Sequence, residues 1–338
     1  KFPRISRSGD DINIVGREHH EVMWAAMDFS EQVLNVTWPA YDSGPMLEGP
    51  LQTTVTVDGV PVREPPDFDY RGLLIGGEVD GPHYENRIVA WMSHNRLNYK
   101  TALPYHVNSV AGRLAARGIE PDGGDHSFHW LVPCDDTFGT HDSYFATHPE
   151  YFPEINGKRQ CRGSNSVNMQ LCVSNPGTAQ VIIDKARQLF TAFPSMTTFG
   201  IVPNDGSYGW CQNADCVAWD GVQAGTGIYS NRLIRLVNTV ADALVDEYPD
   251  KLFVTLAYDN YREPPDIAIS PNVAIRLTTT GRNFLKKLTD PTDPSNAPIM
   301  TQLQGWLSKA KHVTLRDYYY FSGVDYAPSP IARTLCEE

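Results

Sequence analysis

No run of about 18 apolar residues interrupts this chain, so a membrane-spanning helix is not expected. Basic blocks and stripes are missing too. With 28 basic residues against 40 acidic ones, the formal charge is −12, which argues against a phosphate-backbone partner. There is no internal repeat and no low-complexity tract, which sets aside solenoids and long disordered segments. The glycine fingerprint of a dinucleotide fold is also lacking. The first strand of the alternating region leads into Gly76-Gly77-Glu78-Val79-Asp80-Gly81-Pro82, which contains no GxGxxG. Neither a cofactor nor a metal is expected. Methionine does not stand first; Lys1 does, as in a mature or trimmed product.

What remains is a folded chain. Apolar residues make up 41% and charged residues 20%, a balance that supports a core of one large domain, or one large and one small. Tyrosine is abundant, with 16 copies beside 7 tryptophans, and those on loops suit stacking on the apolar faces of sugar rings.

Residues 1–66 read as a small α+β unit, expected to be partial. Ile12-Asn13-Ile14-Val15 alternates like a strand, and Glu21 to Leu34 repeats near 3.6 as a helix does. Thr53 to Val62 carries Asp58-Gly59, a hairpin signal. Arg63-Glu64-Pro65-Pro66-Asp67 reads as a linker. From 67 to 338 short apolar strands alternate with helices. Strands are expected near 70–75, 96–99, 127–132, 198–202, 252–257, 273–277 and 313–317. Helices are expected from Pro176 to Phe193, capped by Asn175, and from Asn231 to Tyr248. Parallel strands with crossover helices follow. The fold class is α/β, a (β/α)8 TIM-barrel-like unit with seven of eight strands accounted for, preceded by the α+β unit.

Barrel catalysis happens at the carboxyl ends of strands. Taken in order, those ends offer Glu78, Asn98, His129, Asn204-Asp205, Tyr258-Asp259 and Asp317-Tyr318, with Arg276 inside the sixth strand. Amides, carboxylates and tyrosines with few lysines make the inventory of a carbohydrate site. The adjacent Asn204 and Asp205 have the chemical types for substrate-assisted glycoside cleavage, in which the sugar's acetamido oxygen attacks. One residue then orients the amide and the other protonates the leaving oxygen. The acid's pKa would be raised by burial beside Tyr208 or Trp210.

Six cysteines occur: Cys134, Cys161, Cys172, Cys211, Cys216 and Cys336. Cys211 and Cys216, with four residues between them, suggest first a local disulfide. Free thiols and a metal site, for which His126 and His129 are available, stay open beside it.

Several segments together resemble the family labelled "domain of unknown function 4838". They are Trp91 with Asn95, Arg96 and Asn98; His148-Pro149-Glu150-Tyr151-Phe152; Gln170-Leu171-Cys172-Val173-Ser174-Asn175-Pro176; Asn204-Asp205-Gly206 followed by Cys211 and Cys216; Leu256-Ala257-Tyr258 with Pro264-Pro265; and Trp306 with Asp317-Tyr318-Tyr319. The resemblance implies a TIM-barrel glycoside hydrolase related to glycoside hydrolase family 163, with hexosaminidases and α-glucuronidases as distant cousins. It implies a glycosidase acting on N-acetylglucosamine-containing oligosaccharides or glycans, with Asp205 as general acid and Asn204 beside it. Family habit implies a secreted or extracellular protein, periplasmic or cell-surface in a bacterium. The alternative is an inactive secreted glycan-binding or structural protein on a hydrolase scaffold.

Overall fold

The computed structural model describes residues 4–17, 19–37, 68, 70–73, 81–101, 114–122, 125–135, 143–163 and 169–318. The expected hairpin at Thr53–Val62, the linker, Glu78 and Cys336 lie outside these residues. The chain separates into two compact units, Lys1–Asp122 and Gly123–Glu338.

In the first unit, β1 (Arg4–Ser8) and β2 (Asp11–Val15) form an antiparallel hairpin. Gly9 turns the chain there at φ +63°, a left-handed angle that costs glycine nothing. Helix α1 (His19–Leu34) follows. Strands β3 (Gly72–Leu73), β4 (Tyr99–Thr101) and β5 (Glu120–Asp122) make a parallel sheet in that order, with helix α2 (Gly81–His94) between β3 and β4. The second strand thus begins at Tyr99, later than expected. Arg96 belongs to the preceding turn at φ 58°, and its guanidinium bridges Asp28 and Glu31 of α1. Strand β5 is an element that residue pattern hides, because it consists of Glu, Pro and Asp.

The second unit is built on a four-stranded parallel sheet: β8 (Thr198–Gly200), β9 (Leu252–Ala257), β10 (Val273–Thr278) and β11 (His312–Arg316), adjacent in sequence order. Every described residue of β9 from Phe253 onward is buried, as a strand covered on both faces requires. Helix α4 (Pro176–Ala192) opens at Asn175, whose Oδ1 accepts the N–H groups of Gly177 and Thr178 at 2.8 and 3.4 Å. Helix α6 (Ser230–Leu244) packs on both α4 and β9. Between them lies α5 (Ala214–Asp220), and α7 (Asn296–Leu307) precedes β11. Two short strands, β6 (Glu154–Ile155) and β7 (Lys158–Arg159), form a small hairpin.

One expected strand is a helix. Residues 127–132 do not extend: Phe128–Leu131 form the single turn α3. Five of these six residues are buried, so the segment has no period of two. Ser127 explains the turn. Its backbone N–H and that of Phe128 both donate to the Val202 carbonyl, each at 3.0 Å. Its hydroxyl donates to the Gly200 carbonyl at 3.0 Å and accepts from the Val202 N–H at 2.9 Å. The segment therefore plugs onto the carboxyl end of β8 by hydrogen bonds that a strand pattern does not signal. Among the described residues, no helix is long and apolar enough to cross a membrane.

Candidate functional site

The carboxyl ends of β8 to β11 lie side by side, and their loops carry most of the polar residues singled out from sequence. The chain leaves β8 through Ile201, Val202 and Pro203, all buried, and reaches Asn204 and Asp205. The two neighbours have opposite surroundings. Asn204 is buried, whereas the Asp205 side chain is 71% exposed.

Asn204 is held on every polar atom. Its Oδ1 accepts from the His129 N–H at 2.9 Å and from His129 Nδ1 at 2.8 Å. Its Nδ2 donates to the Met169 carbonyl at 2.6 Å. The Gln170 amide closes a second ring, accepting from Asn204 N at 2.9 Å and donating to Asn204 O at 2.8 Å. Gln170 itself is fully buried. Such a satisfied network fixes one geometry. His129 is part of it, and burial lowers its pKa even though the Asn204 bond works the other way.

Asp205 faces a different histidine. Its Oδ1 lies 3.4 Å from His126 Nε2. His126 Nδ1 is 2.6 Å from the Pro203 carbonyl, which can only accept, so Nδ1 carries a proton. Nε2 is thereby turned toward Asp205 and, at 4.0 Å, toward Asp125. Asp125 is tied to Arg316 at 3.0 Å. Burial opposes its charge, but Arg316 and His126 outweigh burial and lower its pKa. Tyr258, at the end of β9, approaches the His126 ring with 6.0 Å between centroids. Burial, and then the charge of Asp205, raises its pKa, so the phenol keeps its proton. Asp259 is exposed and holds a left-handed φ of 49°.

The expected burial of Asp205 against aromatic rings is not found. Tyr208 is exposed, and Trp210 stacks on Tyr229 at 4.8 Å instead. Gly206 shapes the turn. It sits at φ +102°, and a Cβ there would meet the Tyr208 ring at 2.5 Å.

The other residues are placed as follows. Asp317 pairs with Arg282 and accepts from the Thr279 hydroxyl, with both ionic side chains nearly buried. Tyr318 lies near the Arg316 guanidinium, 5.6 Å from ring centroid to cation. Arg276 stands mid-strand in β10, opposite Leu256 and Thr314. Asn98 belongs to the first unit, where its Oδ1 accepts the Arg71 N–H at 2.8 Å. His126, Asp125, Gln170 and Arg282 carry much of this arrangement. Of these, His126 and Gln170 figure in the sequence reading, the first as an available metal ligand and the second within a family-like segment.

The cysteines pair differently from expectation. Cys134 is bonded to Cys161. Cys211 and Cys216 are not joined; with Cys172 they are free and buried. The disulfide shares a small crevice with His129, Asn204, Phe152 and Met169.

Parallel strands alternating with helices, with polar side chains at the carboxyl ends of the four-stranded sheet, define an α/β protein. The chain belongs to the family described as Domain of unknown function (DUF4838), whose model matches residues 43–337. Its fold is similar to that of a beta-N-acetylhexosaminidase from Bacteroides fragilis NCTC 9343, at TM-score 0.54 and 12% identity over 94% of this chain and 61% of that one. It is similar also to a glycoside hydrolase family 20 beta-N-acetylglucosaminidase, at TM-score 0.50 and 12% identity over 98% of this chain and 68% of that one. The chain thus spans about three-fifths of the length of the first of these structures. No curated protein matches the sequence.

Proposed function

We propose that this chain is a glycoside hydrolase acting on N-acetylglucosamine-containing glycans, with Asp205 as general acid and the substrate's acetamido group as nucleophile. The observation that carries the reading is the exposed Asp205 carboxyl, held by the buried Asn204 clamp and facing His126 Nε2 at 3.4 Å. The parallel sheets, the β-α alternation and the hexosaminidase-like fold support a (β/α)8 barrel. The Cys134–Cys161 bond supports a secreted or cell-surface location, since such bonds persist in oxidising compartments.

In the proposed cycle the acetamido oxygen bonds to the anomeric carbon as the glycosidic C–O bond breaks. Asp205 gives its proton to the departing oxygen. Water then opens the cyclic intermediate, and its proton returns to Asp205. His126 steadies the carboxylate between the two steps. Tyr258, still protonated, donates to the acetamido group. Asn204 has no free polar atom to offer substrate and acts by position. Arg276, Asp259 and Tyr318 are proposed sugar contacts.

A second reading, glycan binding without turnover, is favoured by one observation. Asp125 and Asp317 are both engaged by arginines, leaving Asp205 without an adjacent unpaired carboxylate at its own strand end. Chromogenic N-acetylglucosaminides and a panel of N-glycans, offered to the parent and to Asp205→Asn, separate the two. Sugar release by the parent and not by the variant supports hydrolysis. Equal glycan binding with no release by either supports recognition.

A further inference from the structure

Cys172, Cys211 and Cys216 come from separate stretches of chain and meet in the interior. Cys172 precedes α4, Cys211 follows Trp210, and Cys216 lies in the first turn of α5; none is more than 1% exposed. Their sulfurs all lie within 4.8 Å of one another. Cys172 Sγ is 3.6 Å from Cys211 Sγ and 3.7 Å from Cys216 Sγ. The edge of a zinc–thiolate tetrahedron with bonds of about 2.3 Å is about 3.8 Å.

We propose that these three cysteines hold a structural zinc ion as thiolates, with an oxygen as fourth ligand. A buried thiol behaves as a small hydrophobe and asks for apolar neighbours. These sulfurs are instead ringed by donors. The Glu154 N–H points to Cys211 Sγ at 3.3 Å, and Arg159 Nη1 reaches it at 3.8 Å while its Nη2 lies 3.7 Å from the Glu154 carboxylate. Asn213 Nδ2 donates to Cys172 Sγ at 3.5 Å. The Ser174 hydroxyl is 3.0 Å from Cys216 Sγ and 4.0 Å from Cys172 Sγ, and so stands at the open corner. N–H groups aimed at sulfur are the outer shell that metal-bound thiolates use. Local pairing of two cysteines would leave the third buried and alone, still facing its donors.

The ion ties the loop after Asp205 to the segment before α4. That segment begins with Gln170, which already grips Asn204 and whose own N–H donates to the Gly209 carbonyl at 3.2 Å. The site is thus a staple behind the Asp205 loop and takes no part in the proposed chemistry.

The test uses the folded chain, purified without air and without added reductant, so that the Cys134–Cys161 bond stays closed. Elemental analysis is expected to find about one zinc per chain. After removal by a chelator, cobalt(II) is expected to restore the site, with a thiolate-to-cobalt charge-transfer band and the visible bands of a tetrahedral ion. Chelation is expected to lower the melting temperature and expose three thiols to a thiol reagent. Cys172→Ser is expected to weaken the charge-transfer band, whereas Ser174→Ala keeps it. A folded parent chain that binds neither zinc nor cobalt overturns the proposal without recourse to any variant. A disulfide among the three, found by peptide mapping of the same preparation, overturns it equally.

Discussion

His126 Nε2 and Asp205 Oδ1 stand 3.4 Å apart at the carboxyl end of β8, with the other imidazole nitrogen anchored on the Pro203 carbonyl. The anchor belongs to the same loop as the carboxylate, so one stretch of chain positions both groups. If Asp205 is the acid, His126→Gln lowers kcat, because the amide does not place a ring nitrogen 3.4 Å from the carboxylate. Asp205→Asn costs about 10²–10⁴-fold in kcat, the usual share of a general acid. A His126→Gln enzyme with unchanged kcat would remove the histidine from the mechanism.

Asn204 is the second prediction. Asn204→Ala leaves the Met169 carbonyl and the His129 donors without their partner. Each buried group stranded in this way costs about 1–3 kcal/mol. A lower melting temperature is expected together with reduced kcat, while KM changes little. Activity lost at unchanged stability would mean that the amide touches substrate after all.

Much of this fold is written in residue order. The Asn175 cap, the apolar face of α6 and the buried runs of β9 and β10 announce themselves through periodicity and capping chemistry. The plug at Ser127 does not, because its turn is fixed by bonds to Val202, 75 residues away. The site divides in the same way. Asp205 is legible as an acid ending a strand. The exchange of roles between His129, which clamps, and His126, which faces the acid, depends on long-range contacts that residue type leaves open. The disulfide shows the same limit. Cys211 and Cys216 are near in sequence, but Cys134 and Cys161, 27 residues apart, are the pair that bonds.

Gly206 offers a test of backbone geometry. Gly206→Ala forces an L residue to φ +102° and drives its methyl into the Tyr208 ring. Both effects destabilise the Asp205 loop, and kcat falls. The double variant with Tyr208→Ala relieves the collision but not the strained angle, so partial recovery is expected. Full recovery would locate the whole effect in the ring contact, and none would locate it in the backbone.

His129 makes stability depend on pH. Its pKa is lowered in the folded chain, chiefly by burial, while the unfolded chain protonates near the ordinary value of about 6.5. Below that value the unfolded state binds more protons than the folded one. The stability held above about pH 6.5 is therefore lost as pH falls through it. Melting temperature is expected to drop between neutral and mildly acid pH, and to drop less in His129→Asn, whose amide can still donate to Asn204. Equal slopes in the two proteins would assign the acid sensitivity elsewhere, with His94 and His312, both lowered by burial, as candidate sources among the described residues.

Asp317 separates an architectural carboxylate from a sugar contact. It sits with Arg282 in a pair whose side chains are 8% and 2% exposed, and it also accepts from Thr279 and the Tyr318 N–H. Removing one partner of a buried ion pair strands the other charge and costs about 3–5 kcal/mol. Asp317→Asn is therefore expected to unfold at markedly lower denaturant concentration, with glycan affinity of the folded fraction retained. Arg282→Met with Asp317→Leu, which removes both charges, is expected to recover much of that loss, because the cost lies in the orphaned ion rather than in the missing bond. If Asp317→Asn instead keeps its stability and loses glycan binding, the carboxylate turns from Arg282 toward substrate. The end of β11 then joins Asp205 and Tyr258 as part of the sugar site.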